Sequence, residues 1–430
     1  MRVKINNVGK VKNADIEING ITVVAGENVT GKSTISKSLY ALFRTLYNKD
    51  EKIESQRLSF ISNQLLFLYT NSEQNSLKPS LLEILAKEIF SLTNQDKITE
   101  GDLVKDVKSK LYELIKSVDH DFNLPIDDAN FISFCHGIDK IVHLTDLSIL
   151  KTILDFNLSS EFNNQINNIY TSELGEISLK IKTREIHSKI CNNKVSELEN
   201  SITLLLEPVY IDNTIVLEDL FSSYTKSRFV VRNDHHSVLR SQLERNIVNE
   251  YDGQLAEQKI VNEELSDIFE YLSQSCSGEM VLEKGELFYK LPSSNKLLAA
   301  SNLSAGLKTF AIIKTLLRNG LIKRNGLIIL DEPENHLHPK WQIALAKIIV
   351  LLHKKFNLHV LLNTHSPYFL QAIQVESASV SIADKCKYYL ASNIDEFSVV
   401  EDVTNNVEKI YALLAQPFQD LEDIKAKNNV

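Results

Sequence analysis

The chain has 430 residues, 43% of them hydrophobic and 24% charged, and a formal net charge of -9. That length and apolar content allow two or three globular domains with a sizeable core, and the acidic balance excludes a protein that wraps nucleic acid by bulk charge, leaving only a local basic patch for such contact. No apolar run reaches the roughly 18 residues of a membrane span, and the N-terminus MRVKINNVGK lacks a signal-peptide core; the expectation is a cytoplasmic protein, with no membrane partner, whose four cysteines are free thiols.

Residues 1–25 alternate and then turn apolar (ADIEI, ITVVA), predicting a short β-meander with a buried last strand. Gly26 ends that strand. A helix opens at Gly31 and carries Ile35, Leu39, Leu42, Phe43 and Leu46 on one face. Residues 50–200 are rich in Leu, Ile, Lys, Glu and Asn, with almost no Gly or Pro. SLLEILAKEIFSLT and GDLVKDVKSKLYELIKSV read as amphipathic helices, and 173–206 as a polar helical stretch without sustained heptads. The expectation is a compact helical insertion. EPVYIDN (207–213) reads as a return to the sheet, 214–275 as mostly helical, and MVLEKGELFYKL (280–291) as a hairpin turning at Lys-Gly. Then come a helix from about 304, the strand GLIILDE, a helix from about 339, the strand LHVLLNT and a short helix after Ser366. This alternation predicts a parallel α/β sheet. VSIAD and KYYLAS read as two further short strands before a terminal helix.

The segment GENVTGKS (26–33) fits the P-loop pattern in full, after a buried strand and before a helix. Its backbone N–H groups and the helix N-terminus face phosphates. Gly26, Asn28, Thr30, Gly31, Lys32, Ser33 and Thr34 are the candidate ATP contacts, with Lys32 on the β- and γ-phosphates and the Ser33 hydroxyl on Mg²⁺. GLIILDEPENHLHP (326–339) delivers two carboxylates to a strand end. Asp331 is the second candidate Mg²⁺ ligand, and Glu332 the candidate base for the attacking water. In NLSAGLKTF (302–310), Ser304 and Gly306 stand where a helix start can cap a phosphate, or where Ser304 is an N-cap and nothing more. In LLNTHSP (361–367), His365 follows an apolar strand, either within reach of a γ-phosphate or as a structural residue.

The order of these four motifs resembles that of the ABC-class ATPases of the SMC/RecF/OLD group, also classed as AAA-type. The resemblance covers about 1–48 and 280–375, and DEPENHLHP and THSP are most similar to the OLD-type, Septu PtuA-type and PARIS-type ATPases of phage defence. It implies an ABC-type ATPase head, a P-loop sheet with flanking helices, carrying a helical insertion domain. The chain then divides into 1–48 (head, with the P-loop), 49–206 (helical insertion), 207–375 (head, with the other motifs) and 376–430 (a strand and helix extension). It also implies a homodimer joined through ATP, with higher oligomers open. Ser304 and Gly306 then meet the γ-phosphate on the other copy, Asn335 lies in the interface loop, and His365 is the switch histidine. Two departures bear on turnover: LSAGL places Leu307 where the family has a polar residue, and the usual Mg²⁺-linked Gln has only Asn213 as a weak substitute. Residues 376–430 are too few for the Toprim nuclease of the OLD group. The expectation is therefore an ATPase that controls a separate effector, a nuclease or a toxin. The alternatives are a RecF/SMC-like DNA-repair ATPase and a non-hydrolysing scaffold that sequesters a toxin.

Smaller features stay open at this level. Lys226, Arg228 and Arg232 are a candidate nucleic-acid patch or a solvated face. His336 and His338 suggest a metal pair or an interface loop. Asp234, His235 and His236 read as a surface turn, and Lys10 and Lys12 are candidate nucleotide contacts.

Overall fold

A computed structural model describes residues 1–70, 79–93, 100–118, 128–212, 214–217, 234–245, 265–283, 286–292 and 296–428. It divides into two compact units, Met1–Tyr47 with Leu154–Val430, and Asn48–Ile153.

The first unit opens with β1 (Arg2–Val8), β2 (Val11–Glu17), β3 (Ile21–Ala25) and α1 (Lys32–Leu46). The second holds α2 (Lys49–Thr70), α3 (Pro79–Thr93), α4 (Glu100–Val118) and α5 (Asp128–Val142); α6 (Asp146–Phe162) leads back to the first. There follow β4 (Gly175–Ile181), β5 (Arg184–Cys191), β6 (Lys194–Asn200), β7 (Val209–Ile211), α7 (His235–Glu244) and α8 (Ser266–Ser275). Next are β8 (Glu279–Glu283), β9 (Glu286–Lys290), β10 (Leu297–Ala299), α9 (Ala305–Arg318), β11 (Leu327–Asp331), α10 (Pro339–Phe356) and β12 (His359–Thr364). The chain ends with α11 (Pro367–Ser379), β13 (Cys386–Ile394), β14 (Phe397–Asp402) and α12 (Glu408–Asn428).

Eleven strands form one sheet in the order β6-β5-β4-β1-β2-β14-β13-β3-β12-β11-β7. From β13 to β7 every neighbour is parallel. These strands are covered on both faces, so they read as unbroken apolar runs: ITVVA and LIILD are buried at every residue. From β6 to β2 the neighbours are antiparallel, and β5 alternates between buried and more open positions. Register brings Ala25, Thr364, Asn363 and Asp331 level at the carboxyl ends of the parallel strands, the end where open α/β sheets bind ligands.

The helical unit has its own core, in which Ile61 and Leu65 of α2 pack with Leu85 and Ile89 of α3 and with Phe131, Phe134 and Ile138 of α5. Among the described residues, no helix is long and apolar enough to cross a membrane.

Four expectations need correction. The stretch 173–206 is not helical: it forms β4, β5 and β6, and β4 pairs with β1. Lys and Glu favour a helix locally, but Ile177 and Leu179, and then Ile186, Ser188 and Ile190, are fully buried at period two, and tertiary burial wins. The helical unit therefore ends at Ile153, and 154–206 belong with the sheet. The N-terminal strands are not a meander, because β3 leaves β2 to pair with β12 and β13. VSIAD is a helix end and turn, whereas KYYLAS lies in β13, inside the main sheet and not in an appended extension. The strands expected at 280–291 do pair as β8 and β9, although residues 284–285 of the turn lie outside the described residues. So do Asn213, Lys226, Arg228 and Arg232.

Candidate nucleotide site

The P-loop leaves β3 at Gly26, whose N–H donates to Thr364 O at 3.3 Å. Val29 lies at φ 63, a strained conformation for a β-branched residue, and Lys10 Nζ donates to its carbonyl at 3.1 Å. Thr30 is buried and its hydroxyl donates to Glu27 O at 2.8 Å, so it braces the loop from within. Gly31 caps α1 at φ 78, where an added Cβ would lie 2.7 Å from Val11 Cγ2. Only glycine fits there. No side chain caps the helix, and uncapped N–H groups at a helix start suit an anion.

Lys10, residues 29–34 and Glu332 line an open cleft of about 240 Å³. Lys32 is buried, and its Nζ donates to Gly26 O at 2.9 Å and Glu27 O at 2.7 Å and lies 3.3 Å from Glu332 Oε1. Asn28 is exposed and outside this lining, and Lys12 sits over the Phe397 ring.

Glu332 has φ 51, the left-handed region. Asn335 donates to its Oε2 at 3.1 Å. His365 Nδ1 lies 3.4 Å from Glu332 Oε1, a charge contact without hydrogen-bond geometry. His365 first, then the Lys32 charge and Asn335, outweigh burial and pull the Glu332 carboxyl down to about 2. Glu332 in turn holds the His365 imidazole above its ordinary pKa.

Asp331 is buried at the end of β11. It accepts hydrogen bonds from Asn363 at 2.8 Å and from Tyr210 at 3.0 Å, and the Ser33 side chain also favours its charged form. Burial raises its pKa against those donors, and the neighbouring Glu332 charge adds to the rise. A buried carboxylate beside the P-loop serine fits a divalent cation, because a nearby positive charge offsets what burial costs it. The residues therefore suit both the phosphates and Mg²⁺.

Several contributors escaped sequence reading. Glu334 is buried, accepts from the Thr364 hydroxyl and, at 3.1 Å, from His365 N–H, and keeps its Oε2 without a partner. Asn363 bridges Ser36 and Asp331, with 2.8 Å to each. Each sits one or two positions from a motif residue, but nothing in the local pattern marks it.

Ser304 and Gly306 are not in the lining of this cleft. Ser304 is the exposed N-cap of α9, and its side chain makes no capping bond. Gly306 is buried under Trp341: an added Cβ would lie 2.7 Å from that ring. Leu307 packs against the core. His338 caps α10, accepting from Lys340 N–H at 3.3 Å, so it and His336 form no metal group among the described residues.

The surface turn expected at 234–236 is corrected most strongly. His235 is 3% exposed, Asp212 meets both histidines, and Glu161 holds His235 from behind. Burial opposes charge on His235, but Asp212 and Glu161 outweigh it and raise its pKa; Asp212 and then Asp234 push His236 to about 10.

A P-loop on one buried parallel strand, with an Asp-Glu pair ending the next strand but one, defines a P-loop ATPase head. The chain belongs to the AAA ATPase domain family, whose model matches residues 1–370. Among solved structures it is similar to the SMC head domain from Thermotoga maritima, at 12% identity and a TM-score of 0.38 over 94% of this chain and 98% of that one. It is also similar to the Pyrococcus furiosus Smc head domain with an extended coiled coil, bound to the C-terminal domain of ScpA, at 11% identity and a TM-score of 0.41 over 99% and 98%. A third, an SmcHead bound to the C-winged helix domain of ScpA, matches at 10% identity and a TM-score of 0.45 over 93% and 97%.

Proposed function

We propose that the protein hydrolyses ATP with Glu332 as the general base, that ATP joins two copies head to head, and that this switch controls a separate nuclease or toxin effector in antiviral defence. The observation that carries the hydrolysis reading is the meeting of Lys32, Glu332 and His365 at the mouth of the P-loop cleft. Lys32 is held by two loop carbonyls and by Glu332. Phosphate oxygens compete for the same ammonium. When Lys32 turns to them, Glu332 loses one of the cations that hold its pKa down and becomes a better proton acceptor for water. His365, tethered through its N–H to Glu334, then keeps Glu332 oriented. Mg²⁺, held by Ser33 and Asp331, would supply positive charge to the phosphates.

The dimer reading is supported by Ser304. Its hydroxyl makes no bond to its own helix, and it does not line the cleft of its own chain. A second copy can bring that helix start to the γ-phosphate. The effector and antiviral parts rest on the style of the DEPENHLHP and THSP motifs.

The test compares wild type with Lys32→Ala and Glu332→Gln for ATP turnover, and measures solution mass with and without ATP. Turnover by Lys32→Ala equal to wild type sinks the site assignment. A Glu332→Gln protein that binds ATP and stays monomeric sinks the dimer.

A further inference from the structure

Behind the nucleotide site, on the far side of Tyr210, lies a second cluster that ATP chemistry does not use. Asp212 follows β7, and His235 and His236 open α7. His235 Nε2 and His236 Nε2 converge on one oxygen, Asp212 Oδ2, at 3.0 and 3.1 Å. One ligand atom from each of the three residues lies within 4.8 Å of the others. A tetrahedral Zn²⁺ with ligands at about 2.0–2.1 Å sets neighbouring ligand atoms about 3.3 Å apart, so the two N–O separations are close to those of a closed site. The other oxygen, Asp212 Oδ1, is buried and has no partner.

We propose that Asp212, His235 and His236 bind a transition metal ion of the zinc class. Three further features support a built site over a chance cluster. First, each histidine has a carboxylate behind its other nitrogen: Glu161 Oε2 at 2.6 Å from His235 Nδ1, and Asp234 Oδ2 at 3.8 Å from His236 Nδ1. The first is a hydrogen bond and gives His235 the carboxylate–histidine–metal order that fixes ring orientation at metal sites, while the second is a charge contact only. Second, the first imidazole is clamped. Tyr210 stacks on it at 4.1 Å and 20°, Tyr40 meets it edge-on at 6.2 Å, and Glu161 also accepts its backbone N–H at 2.8 Å. Third, the donor set is two imidazoles and one carboxylate, which suits zinc and its neighbours better than the oxygen-seeking Mg²⁺ or Ca²⁺. The rival is a hydrogen-bonded ion cluster that holds protons and no metal.

The deciding experiment uses the untagged full chain, stripped with chelator and free of nucleotide. Co²⁺ is titrated in as a visible probe and Zn²⁺ is then added in competition. The expected result is one equivalent of Co²⁺ with d–d bands of four- or five-coordinate geometry, displaced stoichiometrically by Zn²⁺. His236→Ala, at a half-exposed ring, should weaken binding about 100-fold or more, and Glu161→Gln about 10–100-fold. Ser33→Ala, which removes a nucleotide-site hydroxyl, should leave Co²⁺ binding unchanged. Wild type that takes up no Co²⁺ or Zn²⁺ at equimolar concentration overturns the proposal without recourse to any variant. So does a folded His236→Ala protein that binds as tightly as wild type. Neither result touches the reading of the P-loop, which the ATP measurements judge separately.

Discussion

Tyr210 donates its phenolic hydrogen bond to Asp331 Oδ2 at 3.0 Å, from a side chain that is 1% exposed. The bond crosses from β7 to the end of β11 and helps fix the carboxylate beside Ser33. The same ring stacks on His235, so one aromatic side chain separates the nucleotide site from the histidine cluster.

Tyr210→Phe removes that donor and leaves the packing. Asp331 is buried and keeps Asn363 as a donor. The expected loss is about 1–2 kcal/mol of unfolding free energy, read from urea titrations, with a raised Mg²⁺ requirement in the ATP assay.

Lys32→Ala and Glu332→Gln should separate binding from chemistry. Losing the ammonium lowers ATP affinity by roughly 10- to 100-fold, the worth of a charge-assisted bond. Glu332→Gln keeps the carbonyl oxygen and Asn335 as a neighbour but cannot take a proton, so turnover should fall roughly 10²- to 10⁴-fold with ATP still bound. Equilibrium nucleotide titration and steady-state rates on the same preparations check both.

Ser304→Ala and Gly306→Ala should differ in kind. Gly306 has no room for a methyl group against Trp341 and Leu337, so alanine there costs about 1–3 kcal/mol of stability. Ser304 is exposed and caps nothing with its hydroxyl, so alanine leaves the melting temperature unchanged and weakens only ATP-dependent association. Thermal melts and light scattering with ATP distinguish the two.

His359 supplies a pH dependence. Burial, then the N-terminal charge and His353, push its pKa down from 6.5 to about 4. Its imidazole is neutral in the fold and protonated in the unfolded chain between those values. The unfolded state binds the extra proton, so stability falls as pH drops from 6.5 towards 4. The urea midpoint of wild type should decline across this window, and that of His359→Gln should decline less.

The parallel half of the sheet was legible because its strands are buried on both faces, and ITVVA, GLIILDE and LHVLLNT advertise that as apolar runs. The antiparallel half was not. KVSELEN and REIHSKIC have charged open faces, and they join the sheet only through β4, which pairs with β1 across a sequence separation of 170. Within the site, Glu332 and Lys32 were marked by motif, whereas Glu334 and Asn363 were not, since each acts by filling a hydrogen-bonding vacancy that only folding creates.

The sequence by itself determined the phosphate cradle, because a P-loop is one contiguous segment whose backbone does the binding, and it determined the carboxylate pair, because an apolar strand must end where its acids begin. Only the tertiary structure decided what surrounds them. Tyr210 reaches Asp331 across a sequence separation of 121, and His235 meets Glu161 across 74. Side chains so far apart are joined by sheet order and helix packing, and no local pattern of residues encodes where those meet.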